Sequence, residues 1–199
     1  GRVDLIENRG TSEGGVFLRL SSGGSVGTVL NAGTIRGGIA LRDDGPGTER
    51  LALLENSSVL EGPSAIQISS VRVGTIVNSG TILGMSGSGI SLLGLGGPDN
   101  SDAAFVRRIE NRADAQIIGV GRAGVDVTFS GIARLENSGT ISGSQAGIWL
   151  DNTEVTGSSF TSQQTTGGSH IVNHVGGVIA AGATERTDVQ AAISLEEVA

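Results

Sequence analysis

Trp149 is the residue of this chain best suited to recognition chemistry, and Asp126 is the carboxylate that its repeat pattern sets beside it. An exposed indole next to a carboxylate could stack on a sugar ring or anchor a partner protein, the ring supplying contact area and the acid supplying hydrogen bonds. Asp151 follows two residues later and opens the longest connection of the chain, in which Phe160 is the single aromatic residue. These four are the candidate partner-binding residues. The competing reading is that the long connection folds back and covers the indole.

Calcium binding or acid–base work by other acids needs carboxylates on neighbouring turns of the fold. Asp43 and Asp151 occupy similar positions after a strand, but four repeats separate them, about 19 Å along a stack of strands. Asp44 has only Asp43 beside it. Glu110 and Glu136 do neighbour each other, in a column shared with Glu7 and Glu55 and interrupted by Leu30, Val77 and Val172, which reads as a solvated face. Asp99 and Asp102 sit in a polar stretch, GGPDNSD. His170 and His174 lack a third ligand at metal spacing. No GxSxG elbow accompanies the serines, and Gly-rich LLGLGGPD lacks the strand–turn–helix setting of a phosphate loop. Catalytic, metal and cofactor-binding residues are therefore assigned to none of these.

The elements that position Trp149 come from a repeat. An asparagine recurs two residues after an aliphatic one at Asn8, Asn31, Asn56, Asn78, Asn111, Asn137 and Asn173. The preceding partners are Ile6, Val29, Leu54, Ile76, Ile109, Leu135 and Ile171. Four residues on come Ile35, Leu60, Ile82 and Ile141, whereas Ile117 and Ile179 stand six on, as expected of a turn longer by two. Each copy ends in an aliphatic–any–aliphatic strand: Val16–Leu18, Ile39–Leu41, Ile66–Ile68, Ile90–Leu92, Val125–Val127, Ile148–Leu150 and Ile193–Leu195. Period-two alternation marks a strand with one buried face, so the middle residues Phe17, Ala40, Gln67, Ser91, Asp126, Trp149 and Ser194 should point outward. A Gly or Ala precedes every one of these strands. The two alanines there, Ala65 and Ala192, suggest close backbone approach at a corner rather than a required positive φ.

Short strands, tight turns and a period of 22 or more residues predict an all-β chain, a parallel β-helix (solenoid) of about seven coils. A side-chain amide repeated at every coil can donate to one neighbour and accept from the other, so the asparagines should form a ladder along the axis. The whole chain, residues 1–199, reads as one repeat domain and as a fragment of a longer array. Larger insertions are expected at 42–53, 93–108 and 151–170, all on one edge, and rigidly displayed loops are common binding elements.

Composition agrees with a thin layered core. There are 34 glycines, no tyrosine and 3% aromatic residues among 199. All 13 basic residues are arginine against 20 acids, and the net charge of −7 argues against a nucleic-acid scaffold or a hold on anionic membranes. With no cysteine there are no disulfides or thiolate metal sites.

The recurring N-S-G-T-I-x-G followed by G-I-x-L, at Asn78–Leu92 and Asn137–Leu150, resembles the passenger β-helix of autotransporters (type V secretion) of Gram-negative bacteria. The resemblance covers nearly the whole chain. It implies a right-handed, three-faced helix of pectate-lyase-like architecture at the bacterial cell surface, outer-membrane-anchored or secreted. Membrane contact would come only through a C-terminal barrel beyond Ala199. No catalytic residue carries over. Three functions are kept open. The leading one is a non-enzymatic module for adhesion or cell–cell self-association, binding itself or a host, matrix or glycan surface. The second is a passive stalk for an upstream protease or esterase. The third is a polysaccharide lyase or hydrolase.

Overall fold

The computed structural model describes residues 1–20, 23–43, 49–94, 103–151, 170–182 and 191–196. Among them every regular element is a strand. Three parallel sheets, each of seven strands, run the length of a β-solenoid. The first sheet holds β1 (Arg2–Asn8), β4 (Ser25–Asn31), β7 (Leu51–Asn56), β10 (Arg72–Asn78), β13 (Phe105–Asn111), β16 (Gly131–Asn137) and β19 (His170–Asn173). The second holds β2 (Thr11–Ser12), β5 (Thr34–Arg36), β8 (Val59–Gly62), β11 (Thr81–Gly84), β14 (Gln116–Gly119), β17 (Thr140–Gly143) and β20 (Val178–Ala181). The third holds β3 (Val16–Leu20), β6 (Ile39–Asp43), β9 (Ile66–Ser69), β12 (Ile90–Leu93), β15 (Ala123–Thr128), β18 (Ala146–Asp151) and β21 (Ala191–Glu196). Each coil contributes one strand to each sheet in turn.

The expected columns are the observed registers. Ile76 pairs with Leu54 and Ile109 in the first sheet, and Ile82 with Leu60 and Ile117 in the second. Ile90 pairs with Ile66 and Val125 in the third. The longer turn before Ile117 closes on itself, Ala115 N–H donating to the Arg112 carbonyl at 3.2 Å, and Ile117 rejoins the column. The described core is Val, Ile, Leu and Ala without a ring. In the five inner coils nearly all of its side chains are sealed, whereas Val3, Ile171 and Ile193 of the outer coils, which stand in the same inward columns, are exposed. A repeat buries its apolar face only against its neighbours, and a terminal coil lacks one of them.

The asparagine ladder is complete over seven coils. Asn8 Nδ2 donates to Asn31 Oδ1, Asn31 to Asn56, Asn56 to Asn78, Asn78 to Asn111, Asn111 to Asn137 and Asn137 to Asn173, all at 2.8–2.9 Å. The second amide hydrogen is used as well: Asn78 Nδ2 reaches the Gln116 carbonyl at 3.0 Å and Asn137 Nδ2 the Val178 carbonyl at 3.0 Å. The five inner members are fully enclosed. A buried amide is tolerated only when its donors and acceptor are met, which the ladder achieves.

The corner between the second and third sheets is as tight as the Gly/Ala pattern suggested. A Cβ on Gly15 would lie 2.6 Å from the Gly37 carbonyl oxygen, and one on Gly119 would lie 1.8 Å from that of Ala123. Positive φ occurs in that column at Gly38 (79°), so close approach is the broader cause.

Three expectations change. First-sheet strands begin earlier than the apolar–any–Asn signature and third-sheet strands run past their aliphatic triplets, so strand residues occupy parts of 42–53, 93–108 and 151–170: Arg42–Asp43, Leu51 onward, Leu93, Phe105 onward, Asp151 and His170. These strands bury two residues three apart, such as Val73 with Ile76 and Val106 with Ile109, which breaks strict alternation. Asp43 and Asp151 are also not equivalent. Successive pairings run from Asp151 through Thr128, Leu93 and Ser69 to Arg42, leaving Asp43 one residue further on. Asp43 is instead buried in an ion pair with Arg50 at 2.9 Å.

Candidate functional site

On the outer face of the third sheet, Ser91, Asp126 and Trp149 lie side by side on β12, β15 and β18. The next outward column is Leu93, Thr128 and Asp151. Outward orientation gives solvent exposure at Phe17 (64%) and Gln67. It does not at Asp126 and Ser91, which the sequence placed in water: Asp126 is 2% exposed and Ser91 is buried too.

Arg122, which the sequence did not mark, is the charged partner of Asp126. It stands in the corner before β15, and its Nη1 lies 3.1 Å from Asp126 Oδ2. Its guanidinium also rests over the Trp149 ring, 5.5 Å from the centroid, a cation–π distance. Thr128 Oγ1 donates to Asp126 Oδ1 at 3.1 Å and Ser88 Oγ to Oδ2 at 3.3 Å. Burial pushes the Asp126 carboxyl up from its ordinary value, and Arg122, Thr128 and Ser88 oppose that shift. Trp149 Nε1 is buried and meets no acceptor. The candidate pair is thus a closed cluster. Phe160, Asp44, Asp99 and Asp102 lie outside the described residues.

The acid column of the first sheet is in register as read, Glu55–Val77–Glu110–Glu136. It is less free than a solvated face. Arg108 bonds both Glu110 (3.0 Å) and Glu136, Arg112 holds Glu110 at 3.0 Å, and Arg134 holds Glu136. Arginine hydrogen bonding, chiefly from Arg108, keeps the Glu136 carboxyl below the ordinary range. Two carboxylates each committed to arginine offer no free acid–base pair. His170 sits in register with Arg134, and the described residues hold no group of three metal-ligating side chains.

A feature not singled out from the sequence is an apolar patch on the second sheet. Leu83 and Ile118 are paired, outward and half-buried. Two residues on, Met85 (59% exposed) and Val120 (55%) continue the patch onto the corner, where their amides bond the Gly62 and Gly84 carbonyls at 2.8 Å. These four side chains occupy two adjacent inner coils. On the N-terminal side the column continues as charges, Glu13, Arg36 and Glu61, with Arg36 2.7 Å from Glu13 and 3.3 Å from Glu61. On the other side it continues as Ser142 and Ala180. The sequence signal was a pair of apolar residues one and three beyond the core isoleucine, Ile82 or Ile117, in consecutive repeats.

Comparison with family models, with characterised proteins and with solved structures gives no match to this chain.

Proposed function

We propose that the chain is a stretch of autotransporter passenger at a bacterial surface, serving as a non-enzymatic module for adhesion by self-association. The observation that carries this reading is the Leu83–Met85–Ile118–Val120 patch. It lies in the middle of the rod, so the unpaired strands of the outer coils do not account for it. A contiguous apolar patch on a soluble surface marks an interaction site.

The flanking charges favour an antiparallel copy. Turning one solenoid end for end about the patch sets the Glu13–Arg36–Glu61 run against the uncharged Ser142 and Ala180 of the other. A parallel copy would set glutamate against glutamate and arginine against arginine, which is unfavourable. Repetition along a longer array would multiply a weak contact through avidity. The arginine-tied Glu110 and Glu136 weigh against polysaccharide cleavage.

The stalk reading has one observation in its favour: the register passes unbroken over every connection. Settling of bacteria displaying the parent array separates the two. Ile118→Glu with Met85→Glu should abolish settling, while shortening 151–170 to seven residues should leave it intact. Loss of settling only on shortening would move the contact to the variable edge. No settling by any strain, the unmodified one included, would favour a stalk.

A further inference from the structure

We propose that Arg122 is an acid-released cover, and that protonation of Asp126 frees its guanidinium and uncovers the face of Trp149. The inference is independent of how copies of the chain associate, because it concerns a different sheet.

Three observations carry it. The first is that one side chain bridges the cluster: Arg122 spans the Asp126 carboxylate and the Trp149 ring, on two different coils. Its backbone is pinned, the carbonyl accepting Gln145 N–H at 2.8 Å and Ser144 Oγ at 3.4 Å, whereas its side chain keeps 37% of its surface in solvent. Release therefore needs only a rotamer change, with no movement of the coil.

The second is that closure holds two unfavourable groups. The Asp126 carboxylate is taken out of water, and the Trp149 indole N–H is buried without an acceptor. Departure of Arg122 admits water to the Asp126 carboxyl and to the ring face it covers. The ion pair holds the closed form together with the cation–π contact, and it exists only while Asp126 is ionised.

The third is the surrounding charge. Arg122 acts on Asp126 from its own connection, and Asp151 on β18 adds a like charge that favours protonation. Among the described residues, the neighbouring β12 side brings the hydroxyls of Ser88 and Ser91. Burial raises the Asp126 carboxyl, so it takes up its proton before ordinary carboxylates do as pH falls.

The chain has one tryptophan and no tyrosine, so its ultraviolet emission reports this site alone. Acrylamide quenching of Trp149 should increase about twofold or more between about pH 7 and about pH 4, with unchanged far-ultraviolet circular dichroism. Asp126→Asn should show the higher quenching already at neutral pH, without further change on acidification, and Arg122→Gln should match it. Constant quenching of the unmodified protein over the range where its dichroism is unchanged would overturn the proposal, whether or not the variants fold. So would an Asp126→Asn protein that keeps the same pH transition.

Discussion

Asn78 and Asn111 are 33 residues apart in the chain, yet their side chains meet at 2.9 Å, the same length as the bond between Asn56 and Asn78, which are 22 apart. Asn137 and Asn173, 36 apart, meet at 2.8 Å. The connections that vary in length are therefore mechanically decoupled from the stack. A loop spliced between two coils costs closure entropy that grows only slowly with its length, while the amide ladder and the aliphatic columns fix the register on either side.

Asn78→Ala should accordingly be far more damaging than its small size suggests. It orphans the Asn111 Oδ1, removes the side-chain donor to the Gln116 carbonyl and removes the acceptor of Asn56. At about 1–3 kcal/mol per buried unsatisfied group, a loss of about 2–5 kcal/mol is expected. Asn8→Ala, on a half-buried outer coil, should cost less than about 1.5 kcal/mol. Urea denaturation of both variants checks the contrast, and equal losses would refute a cooperative role for the inner ladder.

Phe129 and Ser70 turn the same corner between the third and first sheets, and both adopt left-handed backbone, φ 47° and 57°. Their amides donate to equivalent acceptors, the Asp151 and Leu93 carbonyls. A branched or bulky residue is disfavoured there by about 1–2 kcal/mol. Phe129→Gly should raise the melting temperature, because it relieves the left-handed strain at a ring that is 37% exposed and only partly packed. Val125→Ala, at a sealed position in the same coil, should lower it. A fall in melting temperature for Phe129→Gly would show that the ring's contacts outweigh the backbone strain.

Acid stability should respond to Glu136. Its folded carboxyl lies below the ordinary range because of Arg108 first and Arg134 with it. A depressed carboxyl contributes stability above its unfolded value, about pH 4.3, and loses it as pH falls towards the folded value. Glu136→Gln should therefore lower the melting temperature at neutral pH and narrow its difference from the unmodified protein below about pH 4. Asp126 acts with the opposite sign, since its raised carboxyl favours the folded state more as pH falls. A constant difference at every pH would exclude an electrostatic origin.

Most of the scaffold was legible because its signals are local and repeat. Ile76 and Ile82 announce inward positions by their spacing from Asn78, and Ile90 by its aliphatic–any–aliphatic triplet; most copies repeat the statement, with the offset longer by two before Ile117 and Ile179. Val73 was missed, as were Val26, Leu51 and Val106, because each sits five before its asparagine, where a bend breaks the period-two pattern. The site was less legible. Register placed Asp126 beside Trp149 correctly, but their enclosure depends on the Arg122 rotamer, which no alternation of apolar and polar residues encodes. The Arg108–Glu136 pairing has the same character, as long side chains reach across coils to partners 28 residues away. The Leu83–Val120 patch could have been found by aligning outward positions for apolar character.

Every bond of the ladder points the same way, Nδ2 of one coil to Oδ1 of the next. Backbone bonds between coils run in both directions, Val16 N–H to the Gly38 carbonyl one way and Ala32 N–H to the Asn8 carbonyl the other, so their dipoles largely cancel. The side-chain amides do not cancel. With each amide contributing about 3.5 D, the solenoid carries a permanent moment along its length that grows with every coil added. Such a rod is an electrically oriented object, negative towards its first coil and positive towards its last. In an applied field, solenoids of increasing coil number should align in proportion to their length.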